Sequence, residues 1–410
     1  MPKHVVFVGP DLFSAYTDMV RGLKQAGARV TGIGHSSITR LDPRLHRRLD
    51  DYVRVSTLLD ARTLLAAVRR IDRRRPVDLI ETGDESLVLA VAQVREILEL
   101  PGLSVRSATL CRDKPAMKEA LRQAGVPCAA SAAVDSVEAL MAFAEREGFP
   151  LILKPRSALG GLGTFRVNNV IELEKAAAQL KIHRGSSAAV EEFVEGHEGF
   201  YDTLAIDGEP AHEFISHYYP NVLEALDDRR VAPQIAVTNR VELNSYDELR
   251  AMGRRVIQAL GIETSATHME WFFGPKGLKF SEIGARPPGE RIWDLYSVGN
   301  EMDLWFEWAA VTLYGRPASR PTRRYATGSI QIRPDRDGRI AAYRGLDEVI
   351  KKIRPWVFEQ RLPPRGKPTE PIHKGYLNNV WFRLRHPDYD ALRELLDFVG
   401  ERLKVQATAD

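Results

Sequence analysis

Two carboxylates in adjacent strand-like runs constrain this chain more than any other feature. The runs are Thr267-His-Met-Glu-Trp-Phe-Phe273 and Lys279-Phe-Ser-Glu-Ile-Gly-Ala-Arg286, joined by Gly274-Pro-Lys-Gly277. A linker of that composition folds the two runs into a β-hairpin. Side chains alternate along a strand, so His268, Glu270 and Phe272 share one face, and Phe280, Glu282 and Gly284 share another. If those faces coincide, Glu270 and Glu282 converge on a mostly apolar surface. Two close, buried like charges are costly unless a cation neutralises them. Mg²⁺ takes oxygen ligands and bridges protein carboxylates to nucleotide phosphates, so it is the expected cation. Arg286 would set a fixed positive fork beside it.

A second signal lies upstream. Leu151-Ile-Leu-Lys-Pro155 reads as a buried strand carrying Lys154, and it runs into Arg156-Ser-Ala-Leu-Gly-Gly-Leu-Gly-Thr164. Gly160, Gly161 and Gly163 let the backbone approach an anion and offer N–H groups to phosphate. No Gly-Lys-Ser/Thr follows, so this is not a Walker loop. Ala189-Val-Glu-Glu-Phe-Val-Glu-Gly196 is then a strand with acidic residues at its end, and Glu198 follows just beyond.

The order of these pieces resembles the ATP-grasp superfamily, and within it the carboxylate–amine ligases, L-amino-acid ligases and biotin-carboxylase-like proteins. The residues that carry the resemblance are Asp113-Lys-Pro-Ala-Met-Lys118 with Gly125-Val-Pro127, Leu153-Lys-Pro155 with the glycine loop, Val190-Glu-Glu-Phe-Val194, Met269-Glu270, and Glu282-Ile-Gly-Ala-Arg286. It covers residues 1 to about 320, with a looser fit beyond. The resemblance implies that Lys114 and Lys154 contact the phosphates of ATP, and that Ser157 to Thr164 form a lid over them. It implies that Glu191, Glu192, Phe193 and Val194 form the hinge holding adenine, and that Glu198 binds the ribose hydroxyls. Glu270 and Glu282 would hold Mg²⁺, or Mn²⁺, and Arg286 would stabilise an acyl-phosphate. Where the family usually has asparagine two residues after the second metal glutamate, this chain has Gly284.

Other readings of single residues stand beside these. His268 reads as a packed neighbour of the carboxylates. The His-x-Glu pattern of zinc deaminases needs a Pro-Cys-x-x-Cys partner, and Cys111 and Cys128 are the chain's two cysteines. Ala211-His-Glu-Phe-Ile-Ser-His-Tyr-Tyr-Pro220 is a strand leading into an aromatic loop, where His217 and Tyr218 are candidate substrate contacts. Glu290 is a candidate base near the reacting centre, and Arg286 a second substrate contact.

Strands at 4–8, 29–33 and 78–82 alternate with helices at 12–26, 60–72 and one ending near 98, which predicts a Rossmann-like parallel sheet in an α/β fold. The expected division is 1–110 for that domain, 111–320 for a two-subdomain ATP-grasp core with its lid at about 126–195, and 321–410 for a small β-rich domain. Within these, helices are expected at 114–124, 136–147, 171–180, 245–260, 300–314 and 387–403. A strand is expected to start at Val126-Pro127, and others at 150–154, 326–332, 338–343 and 376–383. With 44% hydrophobic and 28% charged residues among 410, the composition is that of an ordinary globular protein. Two cysteines need no disulfide framework, and the amino terminus reads as a strand rather than a signal peptide, so a cytoplasmic location is expected. The net charge of +3 is too small to imply nucleic acid, and the arginine clusters at 44–48 and 69–75 read as solvated faces. No apolar run reaches membrane-spanning length. The expected partners are therefore small: a carboxylate, an amine and ATP, in a chain whose relatives are often homodimers. Two other activities stay open, bicarbonate-dependent carboxylation and nucleotide binding without catalysis, the latter because of Gly284.

Overall fold

The structure is a computed structural model and describes residues 2–156, 163–184, 186–226, 228–371 and 378–408. The first part of the chain forms a parallel sheet in the order Asp51–Arg54, Arg29–Gly34, His4–Val8, Leu79–Glu81. His4–Val8 is buried at every position, as a parallel strand covered on both faces must be. Helices Tyr16–Gln25 and Ala61–Asp72 lie between strands of this sheet, and Val88–Ile97 follows the last of them. Asp60 caps the second of these by accepting from the backbone N–H groups of Arg62 and Thr63. The first helix starts four residues later than the sequence suggests, because Gly9, with φ of +74°, and Pro10 open a turn ahead of it. The edge strand Asp51–Arg54 was not expected, since only Val53 in it is buried.

The next unit is an antiparallel sheet in the order Ser131–Val134, Ala188–Glu192, Leu151–Pro155, Phe165–Val167. Helices Val137–Glu147 and Val170–Gln179 pack on it, and both start at side-chain caps, Ser136 and Asn169. Leu140, Phe143, Leu151, Leu153, Leu173 and Val190 close its core. The strand expected at Val126-Pro127 begins instead at Ser131. The carbonyl of Pro127 is occupied elsewhere, accepting from the N–H of Phe280 at 2.8 Å.

The largest layer is an eight-stranded sheet. Its order is Gly277–Gly284, Ser265–Gly274, His197–Ile206, Glu209–Tyr219, Gln234–Val237, Ala326–Ile332, Val380–His386, Val357–Arg361. The chain passes residue 320 inside this one sheet, so the last three strands extend the layer that carries the hairpin. Arg339–Arg344 pairs with Lys404–Thr408 in a separate ribbon, and helices Leu346–Ile353 and Tyr389–Arg402 lie in this region. Of the strand expected at 376–383, Tyr376 and Leu377 lie outside the described residues. Helix Ile292–Asn300 was missed; two consecutive left-handed residues, Glu290 and Arg291, precede it. Among the described residues no helix is long and apolar enough to cross a membrane.

The parallel unit docks through helix Tyr16–Gln25 against helix Leu304–Tyr314. Approach is close at Gly22, where a Cβ would stand 2.2 Å from the carbonyl oxygen of Trp305. Neither backbone can yield without moving a helix. Gly22→Ala is therefore expected to destabilise the protein by about 1–3 kcal/mol, read as a lowered Tm. An unchanged Tm would mean that the two helices separate at no cost.

Candidate active site

The hairpin forms around Gly277, whose φ of +77° favours glycine. Glu270 pairs directly opposite Glu282, and His268 opposite Gly284. The face assigned to Phe280 needs correction. Ser281 is an extra residue in its strand, a bulge that pairs Phe280 with Trp271. Phe280 therefore packs with Trp271, Met269 and Ile283, away from Glu282. Phe273 is 55% exposed, so burial on both faces does not extend to the hairpin tip.

The neighbouring strand His197–Ile206 adds two more carboxylates. Phe272 pairs with Glu198, Glu270 with Phe200 and His268 with Asp202, so Glu198 and Asp202 share the Glu270 face. Glu198 is buried, and its Oε2 accepts from the N–H of Val222 at 2.7 Å. Burial first, and then the charge of Glu270, pushes its carboxyl up. Burial and the facing Glu282 likewise push Glu270 up. Burial works the same way on Glu282 but is outweighed by Lys114 and Lys154, which hold that carboxyl below its usual range. The lysine nitrogens stand 3.3 and 3.9 Å from Glu282 Oε2. His268 Nδ1 lies 2.7 Å from Asp202 Oδ1, and Tyr296 donates to Asp202 Oδ2 at 2.6 Å. His268 is thus anchored from behind, with Nε2 3.8 Å from Glu270.

The lysines come from two other elements. Asp113 caps helix Lys114–Gln123. Residues four apart lie on one helix face, so the helix presents Lys114 and Lys118 together. Lys154 comes from strand Leu151–Pro155. Lys118 and Lys154 both contact Glu191 Oε2, at 2.8 and 3.0 Å. Burial would raise the Glu191 carboxyl, yet the two lysines pull it down to about 2. Glu191 Oε1 is buried without a hydrogen-bond partner. Lys118 was quoted in the sequence motif without a role; its spacing from Lys114 was the available signal.

The remaining expected residues are spread unevenly. Glu192 turns outward, accepting from Lys276 at 2.6 Å and from the N–H of Ala130 at 3.0 Å. Phe193 stacks under the Arg166 guanidinium, 4.1 Å from its ring centre, and Val194 is half-buried. Gly163 has φ of +71°; Ser157, Gly160 and Gly161 lie outside the described residues. Tyr218 is on the carboxylate side, its ring 4.9 Å from that of Phe200. His217 is on the other side. It lies 2.9 Å from both His197 and Tyr246, and burial pushes its imidazole down to about 3. Glu290 is half-buried, with its carbonyl accepting from Arg383 at 2.8 Å. Arg286 joins the site from its edge, paired with Glu85, which also holds Arg112. Glu85 and Arg112 were not anticipated. Glu85 lies in a loop at the carboxyl end of the parallel sheet, a position that could have flagged it.

Glu191 makes the electrostatics of this cluster testable. Its folded pKa lies below the unfolded value, so its contribution to stability is present above about pH 4.5 and is lost as pH falls toward 2. Glu191→Gln leaves Lys118 and Lys154 without their shared partner, and is expected to cost about 3–5 kcal/mol at pH 7. The Tm gap between variant and parent should narrow as pH falls from 4.5 to 2. A gap independent of pH would contradict the ion-paired assignment.

The residues 113–210 match the family described as carbamoyl-phosphate synthase L chain, ATP binding domain. The carbamoyl phosphate synthase large chain of Bifidobacterium animalis subsp. lactis is 25% identical over 365 residues, covering 86% of this chain and 30% of that one. The chain thus spans about a third of the length of those synthase relatives. The L-arginine-specific L-amino acid ligase of Bacillus subtilis is 25% identical over 301 residues, 72% of each chain. The crystal structure of L-amino acid ligase from Bacillus licheniformis superposes with a TM-score of 0.76 at 19% identity, over 99% of both chains. The chain is thus similar to ATP-grasp ligases, in the matched ATP-binding segment of residues 113–210 and in the fold it shares with an L-amino acid ligase.

Proposed function

We propose that this chain is an ATP-dependent carboxylate–amine ligase. It would form an amide bond through an acyl-phosphate and release ADP and phosphate, with an amino acid as at least one substrate. The observation that carries this reading is the direct pairing of Glu270 and Glu282 beneath Lys114 and Lys154. Similarity to an L-amino acid ligase supports the substrate class.

The donor set fits Mg²⁺. Among the described residues no three or more His, Cys, Asp or Glu side chains cluster as a metal site, but Mg²⁺ bound with phosphates needs only one or two carboxylates. The mutual repulsion of Glu270 and Glu282 is what a divalent cation would relieve. Mn²⁺ shares this preference for oxygen donors. Glu270 and Glu282 would hold Mg²⁺, and the chemistry it would supply is positive charge to offset that on the transferring phosphoryl group. The unpartnered Glu191 Oε1 fits a donor such as the adenine amino group.

The chain's own residues then divide the work. Lys114 and Lys154 hold the phosphates, and their charge, which offsets Glu282 in this structure, becomes shared with the nucleotide. Glu198 receives the ribose hydroxyls. Arg286 holds the acyl-phosphate and the charge that develops as an amine attacks it. The lid expected at Ser157 to Thr164 falls mostly outside the described residues. We place this chemistry in the cytoplasm, in keeping with two free thiols, and propose a homodimer as the assembly.

Phosphate release from Mg-ATP, measured against pooled amino acids with bicarbonate in a separate well, tests the reading. One amino-acid pool is expected to stimulate release, and Glu270→Gln or excess EDTA to remove at least about 10²-fold of it. Stimulation by bicarbonate alone would assign carboxylation instead. Silence with every acid, alongside tight ATP binding, would assign a non-catalytic nucleotide-binding protein.

A further inference from the structure

Glu85 belongs to a different unit from the carboxylates it approaches. It follows strand Leu79–Glu81, at the place where the order of the parallel sheet reverses between that strand and His4–Val8. Its Oε2 accepts from Nε and Nη2 of Arg286, at 2.9 and 2.7 Å. Its Oε1 accepts from Nη1 of Arg112 at 2.9 Å. Nη1 of Arg286 donates to the carbonyl of Pro287 at 2.8 Å. The guanidinium is therefore held on two sides.

Without that hold, Arg286 has another partner close by. The Arg286 Nε lies 3.6 Å from where a Cβ of Gly284 would stand, and Glu282 is two residues from Gly284 on the same strand face; a carboxylate within reach of a guanidinium pairs with it readily. A guanidinium on Glu282 would occupy oxygens that the proposed metal needs. Gly284 bears on the same point. A Cβ there would stand 3.4 Å from Glu85 Oε2 and 3.5 Å from Arg286 Cγ. The amide of an asparagine, placed beyond that Cβ, would press on the Glu85–Arg286 pair. Gly284 thus lies where a carboxylate reaches in from the parallel unit.

We propose that Glu85 is a positioning residue that holds Arg286 off Glu270 and Glu282, and that Gly284 leaves room for a pair that a longer side chain would crowd. This rests on the nucleotide–metal reading given above. Its consequence is a competition: whatever frees Arg286 should weaken the metal.

Titration of the full chain with Mn²⁺ in the presence of ADP, with free Mn²⁺ read by electron paramagnetic resonance, tests this directly. Glu85→Gln is expected to weaken Mn²⁺ binding about tenfold, a coupling ordinary for a close charge pair. Glu85→Gln combined with Arg286→Gln should recover parental affinity, because no guanidinium remains to compete. Gly284→Asn, an independent variant, should weaken Mn²⁺ in the same direction as Glu85→Gln. A structural role for Glu85 would not be rescued by removing Arg286, so a double variant as weak as the single one overturns the proposal. Parental affinity in Glu85→Gln overturns it as well. A parent that binds no Mn²⁺ with ADP overturns the nucleotide–metal reading itself.

Discussion

The repulsion between Glu270 and Glu282 is the constraint on which the rest of the site depends. Their pairing is fixed by a hydrogen-bonded ladder and cannot be relaxed by a change of rotamer alone. Glu198 adds to it from the next strand. Left alone, carboxylates crowded on one sheet face would take up protons, and Glu198 and Glu270 are indeed pushed upward. Glu282 escapes this because Lys114 and Lys154 reach it from outside the sheet. The cations are arranged so that no single element owns the site. Lys114 and Lys118 come from a helix, Lys154 from the smaller sheet, and Arg286 from the chain just after the hairpin.

The same logic governs Glu191. It is held well inside the acidic range because two lysines converge on one of its oxygens. Its other oxygen is left buried and unsatisfied. Such an atom costs free energy in the folded state and gains it back when a donor arrives. Under the proposed function the cluster would be pre-formed to accept a ligand, with part of the cost of desolvation already met during folding.

Much of this was legible in the sequence, for identifiable reasons. The hairpin and the strand-borne Lys154 follow from period-two alternation and a glycine turn, both local signals, whereas Glu270 and Glu282 face each other only because the bulge at Ser281 shifts the register between them and the turn. Helix Lys114–Gln123 follows from its aspartate cap and the glycine after it. What was missed is non-local. The bulge at Ser281 depends on the partner strand, so alternation put Phe280 on the wrong face. Glu85 lies about two hundred residues before Arg286, and nothing in the intervening spacing brings them together. His217 and Tyr218 are adjacent, and a strand must send them to opposite faces. Only Tyr218 shares the side of Glu270.

The eight-stranded sheet has a practical consequence for recombination. Strands on both sides of residue 320 share one ladder, and Ala326–Ile332 pairs with Gln234–Val237 on one side and Val380–His386 on the other. Exchanging the carboxy-terminal ninety or so residues for those of a relative would thus cut through backbone pairing, not a linker. A graft at that point would have to match pleat, twist and register across the seam. Junctions set before His197, where the first strand of this sheet begins, would carry the ladder over whole, and modular exchange in this protein is better planned along sheets than along the chain.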